Sequence, residues 1–231
     1  ESGKTVFIDF APLPAIDFII KLAKNAPNAI AQTTTSFAAF FKKTGTTQMW
    51  LDGEISNYEY LIRLNMFCGR SFRHPALYPI FPWIIIDFSK ASIDIERPEM
   101  YRDLKYPITA QTQQQRSGLQ KKIEEGGDCM YFTTPSNPTQ VAHWLIRIEP
   151  FTTLHLDCEG GCFGCDNRLF KSMIKTTSQV LESANCWECI PEFYSVPEFL
   201  LDINNTGLGD VELPAWAKTP FDFVYHQREA L

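Results

Sequence analysis

The sequence predicts a mostly α-helical fold with long irregular extended segments. Three observations carry that reading. Apolar residues recur at helical spacing in several stretches, most clearly across Asp166–Ala184. The two most apolar runs, Tyr78–Phe88 (YPIFPWIIIDF) and Ile190–Leu201 (IPEFYSVPEFLL), are each broken by two prolines. Proline removes a backbone donor, so neither run suits a helix interior or a central strand. Finally, hydrophobic residues make up 45% of the 231, with 18 Phe, which suits a core built from large side chains.

The elements follow in chain order. Lys4–Phe10 (KTVFIDF) puts Val6, Ile8 and Phe10 on one face of a strand. Pro14 can open a helix whose Ile16, Ile19, Ile20 and Ala23 share a face, and Pro27 ends the pattern. A lone strand and helix of this size need partners ahead of residue 1 to bury their apolar faces. Because the chain starts with Glu1 and is already strand-like at Lys4, it is expected to be a piece of a longer protein. Asn28–Ser36 (NAIAQTTTS) reads as a linker, and Phe37–Lys43 as a short helix.

A better-marked helix starts with Ser56 and Glu59 in capping-box spacing. Its stripe is Tyr58, Leu61, Ile62, Asn65 and Cys68, and Gly69 suits the residue just past its end. Gln111–Gln115 reads as a loop. Thr139–Glu149 reads as a helix with Val141, Ala142, Trp144, Leu145 and Ile148 inward and Pro150 as its stop. Asp166 is placed as N-cap of the strongest helix, after a tight turn at Gly160–Gly164.

Irregular chain running through an apolar interior carries N–H and C=O groups that must find partners there. Polar residues embedded in apolar runs are the natural suppliers. Asn57, Asn65, Arg147 and Glu192 are therefore expected to be buried and hydrogen-bonded. Trp83, Trp144 and Phe193 are expected to anchor the core.

Several function classes are disfavoured. A net charge of −6 argues against a nucleic-acid footprint. The longest apolar run falls well short of the about 20 residues that a spanning helix needs. Seven cysteines, an odd number without a secretory segment, point to free thiols in a reducing cytosol. The sequence holds no nucleophile elbow, Walker loop or dinucleotide glycine fingerprint. His74, His143, His155 and His226 are scattered, and Glu124/Glu125 and Glu96/Glu99 sit in polar runs that read as solvated surface. No catalytic residue and no cofactor is expected.

One pattern has chemical force. Cys162-x2-Cys165 and Cys186-x2-Cys189 resemble a structural zinc signature. Between the pairs, however, lies the strongest helical pattern. About 18 helical residues at about 1.5 Å each would hold the pairs roughly 27 Å apart. Sulfurs on one zinc lie within about 4 Å of each other. The helix is favoured, with a zinc-stabilised module on Cys162, Cys165, Cys186 and Cys189 as the alternative.

Beyond these local readings, a series of blocks resembles BEACH domains of the neurobeachin type. Trp50–Leu64 (WLDGEISNYEYLIRL) with Asn65, Gly69-Arg70-Ser71 and Tyr78–Trp83 looks like the opening signature. Arg102-Asp103-Leu104 with Pro107-Ile108, Trp144–Phe151 (WLIRIEPF), Gly161, Phe163 and Asp166–Phe170 (DNRLF) resemble the next blocks. Ile190–Leu200, Asn204, Asn205, Gly209, Asp210–Lys218 (DVELPAWAK), Phe223 and Arg228–Leu231 (REAL) follow in the family's order.

The N-terminal strand and helix resemble the end of the pleckstrin-homology-like (PH-like) domain that precedes BEACH. The resemblance implies 1–27 as the end of that domain, 28–44 as a linker and 45–231 as a BEACH domain cut at its C-terminus, ahead of a WD-repeat propeller. It implies a non-enzymatic scaffold of vesicle trafficking, of the lysosome-related, autophagy or receptor-targeting type. Such a protein is cytoplasmic or peripheral on endomembranes, with other proteins and the PH-like domain in cis as partners and no nucleic acid. Departures from the family at Phe72-Arg73-His74-Pro75 and Met130–Pro138 bear on partner choice. They make Arg70, Arg73 and His74 candidates for a partner groove.

Overall fold

A computed structural model describes residues 13–25, 36–126, 137–165, 169–182 and 187–231. The expected strand Lys4–Phe10, residues 28–35 of the linker and the Asp166 cap lie outside these residues. The chain forms two compact units that part between Ser71 and Phe72.

The first unit holds α1 (Leu13–Asn25), α2 (Phe37–Lys43), α3 (Thr46–Leu51) and α4 (Asn57–Phe67). Local chemistry sets their ends. The Ser36 hydroxyl accepts the Ala39 N–H at the start of α2. Gly45, at φ +67°, turns the chain into α3. Ser56 accepts the Glu59 N–H at 3.2 Å, while the Glu59 carboxylate pairs with Arg63 one turn on. At the end of α4 the Arg70 N–H reaches the Asn65 carbonyl and the Gly69 N–H the Met66 carbonyl. This double closure requires the left-handed residue that Gly69 supplies at φ +76°. Phe40 and Phe41 meet Phe67 edge-on, and Trp50 stacks on Tyr60 at 4.7 Å.

The second unit is helical but thinly so. It holds α5 (Gln113–Glu124), α6 (Pro138–Trp144), α7 (Phe151–Cys158), α8 (Met173–Glu182) and α9 (Pro220–Ala230). Between them run extended segments and single 3-10 turns at Pro75–Leu77, Pro98–Met100, Ile108–Ala110, Pro191–Tyr194 and Pro197–Leu200. Among the described residues β pairing is limited to isolated bridges: Phe81 with Cys189, Ile85 with Tyr101 and Ser172 with Glu212. The mostly α reading with long irregular segments matches this arrangement.

Three expectations need correction. Gln111–Gln115 is not a loop throughout. Thr112 and Gln115 form a reciprocal capping box that starts α5, a helix too polar to reveal itself by apolar spacing. The helix expected over Thr139–Glu149 ends at Trp144, and turns carry the chain to Pro150. The helix expected over Asp166–Ala184 covers Met173–Glu182, while Leu169–Ser172 is non-helical. There the Met173 N–H bonds the Glu212 carbonyl and the Glu212 N–H bonds the Lys171 carbonyl, so long-range pairing displaces the local helix.

The core of this unit is an aromatic nest. Trp83, Trp144, Phe170, Phe193 and Phe199 are all buried. Their rings meet mostly edge-on, with centroids 4.8 to 5.8 Å apart for Trp83–Trp144, Trp83–Phe193, Trp144–Phe170, Trp144–Phe193 and Phe193–Phe199. That geometry favours the positive edge of one ring against the negative face of the next.

Candidate functional site

The most apolar run, Tyr78–Phe88, crosses the second unit without a sheet, so each of its backbone groups needs its own partner. The Phe81 N–H donates to the Cys189 carbonyl at 2.9 Å and the Ile86 N–H to the Met100 carbonyl at 3.1 Å. The Ile84 carbonyl accepts the Arg102 N–H, and the Pro82 carbonyl accepts the Tyr194 hydroxyl. The Trp83 indole N–H donates to the Trp187 carbonyl at 2.8 Å.

Glu188 joins these contacts. Its carboxylate accepts the Trp83 N–H at 3.2 Å and the Arg102 guanidinium at 2.6 Å. Its carbonyl accepts the Gln140 side-chain amide. Both side chains of the Arg102–Glu188 pair are almost wholly buried, at 4% and 6% exposure. A buried pair is tolerable only when the remaining donors and acceptors are also used. Arg102 satisfies this in part by also donating to the Tyr106 carbonyl. Sequence reasoning did not single out Glu188 or Gln140 and quoted Arg102 only within a family block. Glu188 adjoins Cys189 just before the Pro-broken run, a position that could have flagged it.

Arg147 is fully buried. Its Nε donates to the Gly209 carbonyl at 2.8 Å and its Nη1 to the Phe170 carbonyl at 2.6 Å, while Asn204 donates to the Arg147 carbonyl. Burial pulls its guanidinium below the ordinary arginine value, and the fields of Asp202 and Asp210 act in the opposite sense. Asn65 is buried within α4 and donates back to the Leu61 carbonyl at 2.9 Å.

Glu192 is buried and accepts the Tyr78 hydroxyl on Oε1. Burial raises its carboxyl above the usual 4.5, with the Tyr78 bond acting against the shift. In the window between 4.5 and the raised value, the unfolded chain holds fewer protons than the folded one. Stability therefore falls as pH rises through that window. Glu192→Gln is expected to flatten this limb, as read from urea midpoints measured from mildly acidic to neutral pH.

Asn57 is a correction: it is exposed. It occupies the first turn of α4 and accepts the Trp50 indole N–H at 2.6 Å on the surface. Ser56 already caps that helix start, so the interior has no use for Asn57 there.

Trp83, Trp144 and Phe193 meet in the aromatic nest described above. The groove candidates do not share one unit. Arg70 is half-buried at the end of the first. Arg73 and His74 are exposed at the start of the second, flanked by Phe72 at 50% and Leu77 at 46% exposure. A short surface segment thus presents two large apolar side chains around a basic pair.

The two-pair zinc ligand set is not supported by the placement of its cysteines. Cys189 is buried at the Phe81 bridge, and burial pushes its thiol well up. Cys162 and Cys165 are exposed, and Cys186 lies outside the described residues. With α8 spanning 10 residues, the roughly 27 Å separation falls away as an argument, and the burial of Cys189 takes its place. Among the described residues no helix is long and apolar enough to cross a membrane.

Comparison with known proteins agrees with this architecture. A family model described as Beige/BEACH domain matches residues 48–231. Beige protein homolog 1 of Saccharomyces cerevisiae is 36% identical over 205 residues, covering 80% of this chain and 10% of that relative. The chain thus spans about a tenth of the length of the curated relative it matches. An irregular body held together by buried polar groups, the ordered signature blocks and the family match together place this chain in the BEACH family, with residues 48–231 as its Beige/BEACH domain.

Proposed function

We propose that this chain is a non-enzymatic protein-interaction scaffold of membrane and vesicle trafficking. The observation that carries the reading is how the second unit uses its buried charged and polar groups. Glu188 and Arg102 bond to backbone and to each other, and Arg147 bonds to backbone carbonyls. Groups committed in this way hold a surface in shape, whereas acid–base catalysis needs a group facing a reacting atom. The Phe72-Arg73-His74 segment with Leu77 is the proposed docking edge in the second unit, and Arg70 is a candidate contact in the first.

On the same reading, 1–27 closes a PH-like domain that partners BEACH in cis, 28–44 links the two, and BEACH begins at about 45. The setting proposed is cytoplasmic or peripheral on endomembranes, in lysosome-related, autophagic or receptor-targeting traffic, in a longer protein carrying WD repeats.

The test is affinity capture from cell extract with mass spectrometry, comparing the wild-type chain with Phe72→Ser/Arg73→Glu/His74→Ala. The altered residues are exposed, so the melting curve should not move. The reading expects a defined set of partners to be lost from the variant. An identical captured set would remove these residues from the docking edge.

A further inference from the structure

The chain is acidic overall, yet it carries no Asp or Glu between Glu59 and Asp87. The part of that stretch in the second unit, Phe72 to Ile86, has Arg73 and His74 as its only basic residues. Both are exposed, and so are Phe72, Ala76 and Leu77 around them. The helix that packs on this segment, α6, and the turns after it carry no carboxylate from Pro138 to Ile148 either. The chain neighbours and α6 thus supply no negative charge to offset the basic pair.

The segment is also held in shape. Pro75 opens a 3-10 turn that the Leu77 N–H closes on the His74 carbonyl at 2.9 Å. The Phe72 ring meets Tyr78 edge-on at 5.5 Å, and the hydroxyl of the buried Tyr78 donates to Glu192, itself buried. Phe72 and Leu77 therefore flank the basic pair from set positions, and little ordering of this chain opposes binding.

We propose that the Phe72–Leu77 edge docks a short linear peptide of a partner protein in which an Asp or Glu is flanked by apolar residues. The inference rests on the docking-edge reading above and names the chemistry of its partner. A guanidinium takes a carboxylate through two parallel N–H donors, and an imidazole N–H adds a third. The apolar residues of the peptide cover Phe72 and Leu77, while its carboxylate selects it over neutral and basic peptides. An anionic bilayer offers the same charge, but lipid-binding segments draw on clusters of about four to eight Lys or Arg. One Arg and one His, in a chain of net charge −6, fall short of that. The acidic peptide is the occupant that fits.

The test pans random linear peptides displayed on phage against the 231-residue chain, in parallel with Arg73→Glu and Phe72→Ser/Leu77→Ser. The wild-type pool should be enriched in Asp and Glu beside apolar residues. A fluorescein-labelled peptide from that pool should bind roughly fivefold more weakly once its acids are replaced by amides, the size of an exposed ion pair. Raised salt should weaken the acidic peptide and spare its amide version. This comparison uses the wild-type chain alone, so it stands even if a variant fails to fold. Arg73→Glu should lose the acidic peptide and enrich Lys or Arg instead, and Phe72→Ser/Leu77→Ser should weaken both versions alike. A wild-type pool without acid enrichment that still changes in the variants overturns the acidic partner and leaves the docking edge in place. Pools identical in wild type and variants, empty ones included, remove the docking edge as well. Binding to phosphatidylserine vesicles that is lost in Arg73→Glu and matched by no acidic peptide overturns the peptide in favour of a lipid surface.

Discussion

Glu188→Ala is expected to lower the unfolding free energy by about 3–5 kcal/mol, the usual consequence of removing one partner from a buried ion pair. The reason is what remains behind. Arg102 keeps its charge in a site where its side chain is 4% exposed, and its 2.6 Å partner is gone. The Trp83 N–H loses its acceptor in the same step. Urea denaturation followed by circular dichroism measures the effect as a lower midpoint at unchanged slope.

The pair also gives a sharper test. Two charges taken out of water need not be net stabilising, so an apolar replacement of both, Arg102→Met/Glu188→Leu, should be less harmful than either single change. If Glu188→Ala leaves the midpoint where it was, the bridge does not hold the irregular chain together.

Trp83→Ala is the second large effect, at about 3–5 kcal/mol for truncating a buried aromatic. Trp83 is 2% exposed and faces Trp144, Phe193 and Phe88. Its loss opens a cavity in the nest and leaves the Trp187 carbonyl without its donor. Trp83→Phe should cost less, because most of the apolar volume stays. The comparison is Phe221→Ala on α9, where the ring is 61% exposed and the change should stay within about 0.5 kcal/mol. Equal midpoint shifts for Trp83→Ala and Phe221→Ala would refute the core assignment.

Part of this architecture is legible in the sequence because its causes are local. Ser56 caps α4 three residues from the N–H it accepts, and the turn at Gly69 closes the same helix with contacts three and five residues back. Prolines at 79, 82, 191 and 197 exclude a helix interior or a central strand wherever the chain is folded. Apolar residues as large as Trp83, Trp144 and Phe193 go inside in almost any compact fold.

What the sequence leaves open is long-range pairing. Glu188 lies 105 residues from the Trp83 N–H it accepts and 86 from the Arg102 it neutralises. Arg147 reaches the Gly209 carbonyl across 62 residues. No periodicity or spacing encodes such partners, because an acceptor's identity depends on which backbone group the fold brings alongside. The same reason explains the two kinds of error. Asn57 satisfies the rule for a buried polar residue, yet the course of α4 turns it to solvent, where it meets Trp50. Leu169–Ser172 has helical spacing, yet neighbouring pairs to Glu212 hold that stretch extended up to Met173. By itself, then, the sequence determined the helix caps, the interruptions and the greasy anchors. Only the tertiary structure decided which charge meets which carbonyl, because a buried polar group is settled by geometry over tens of residues.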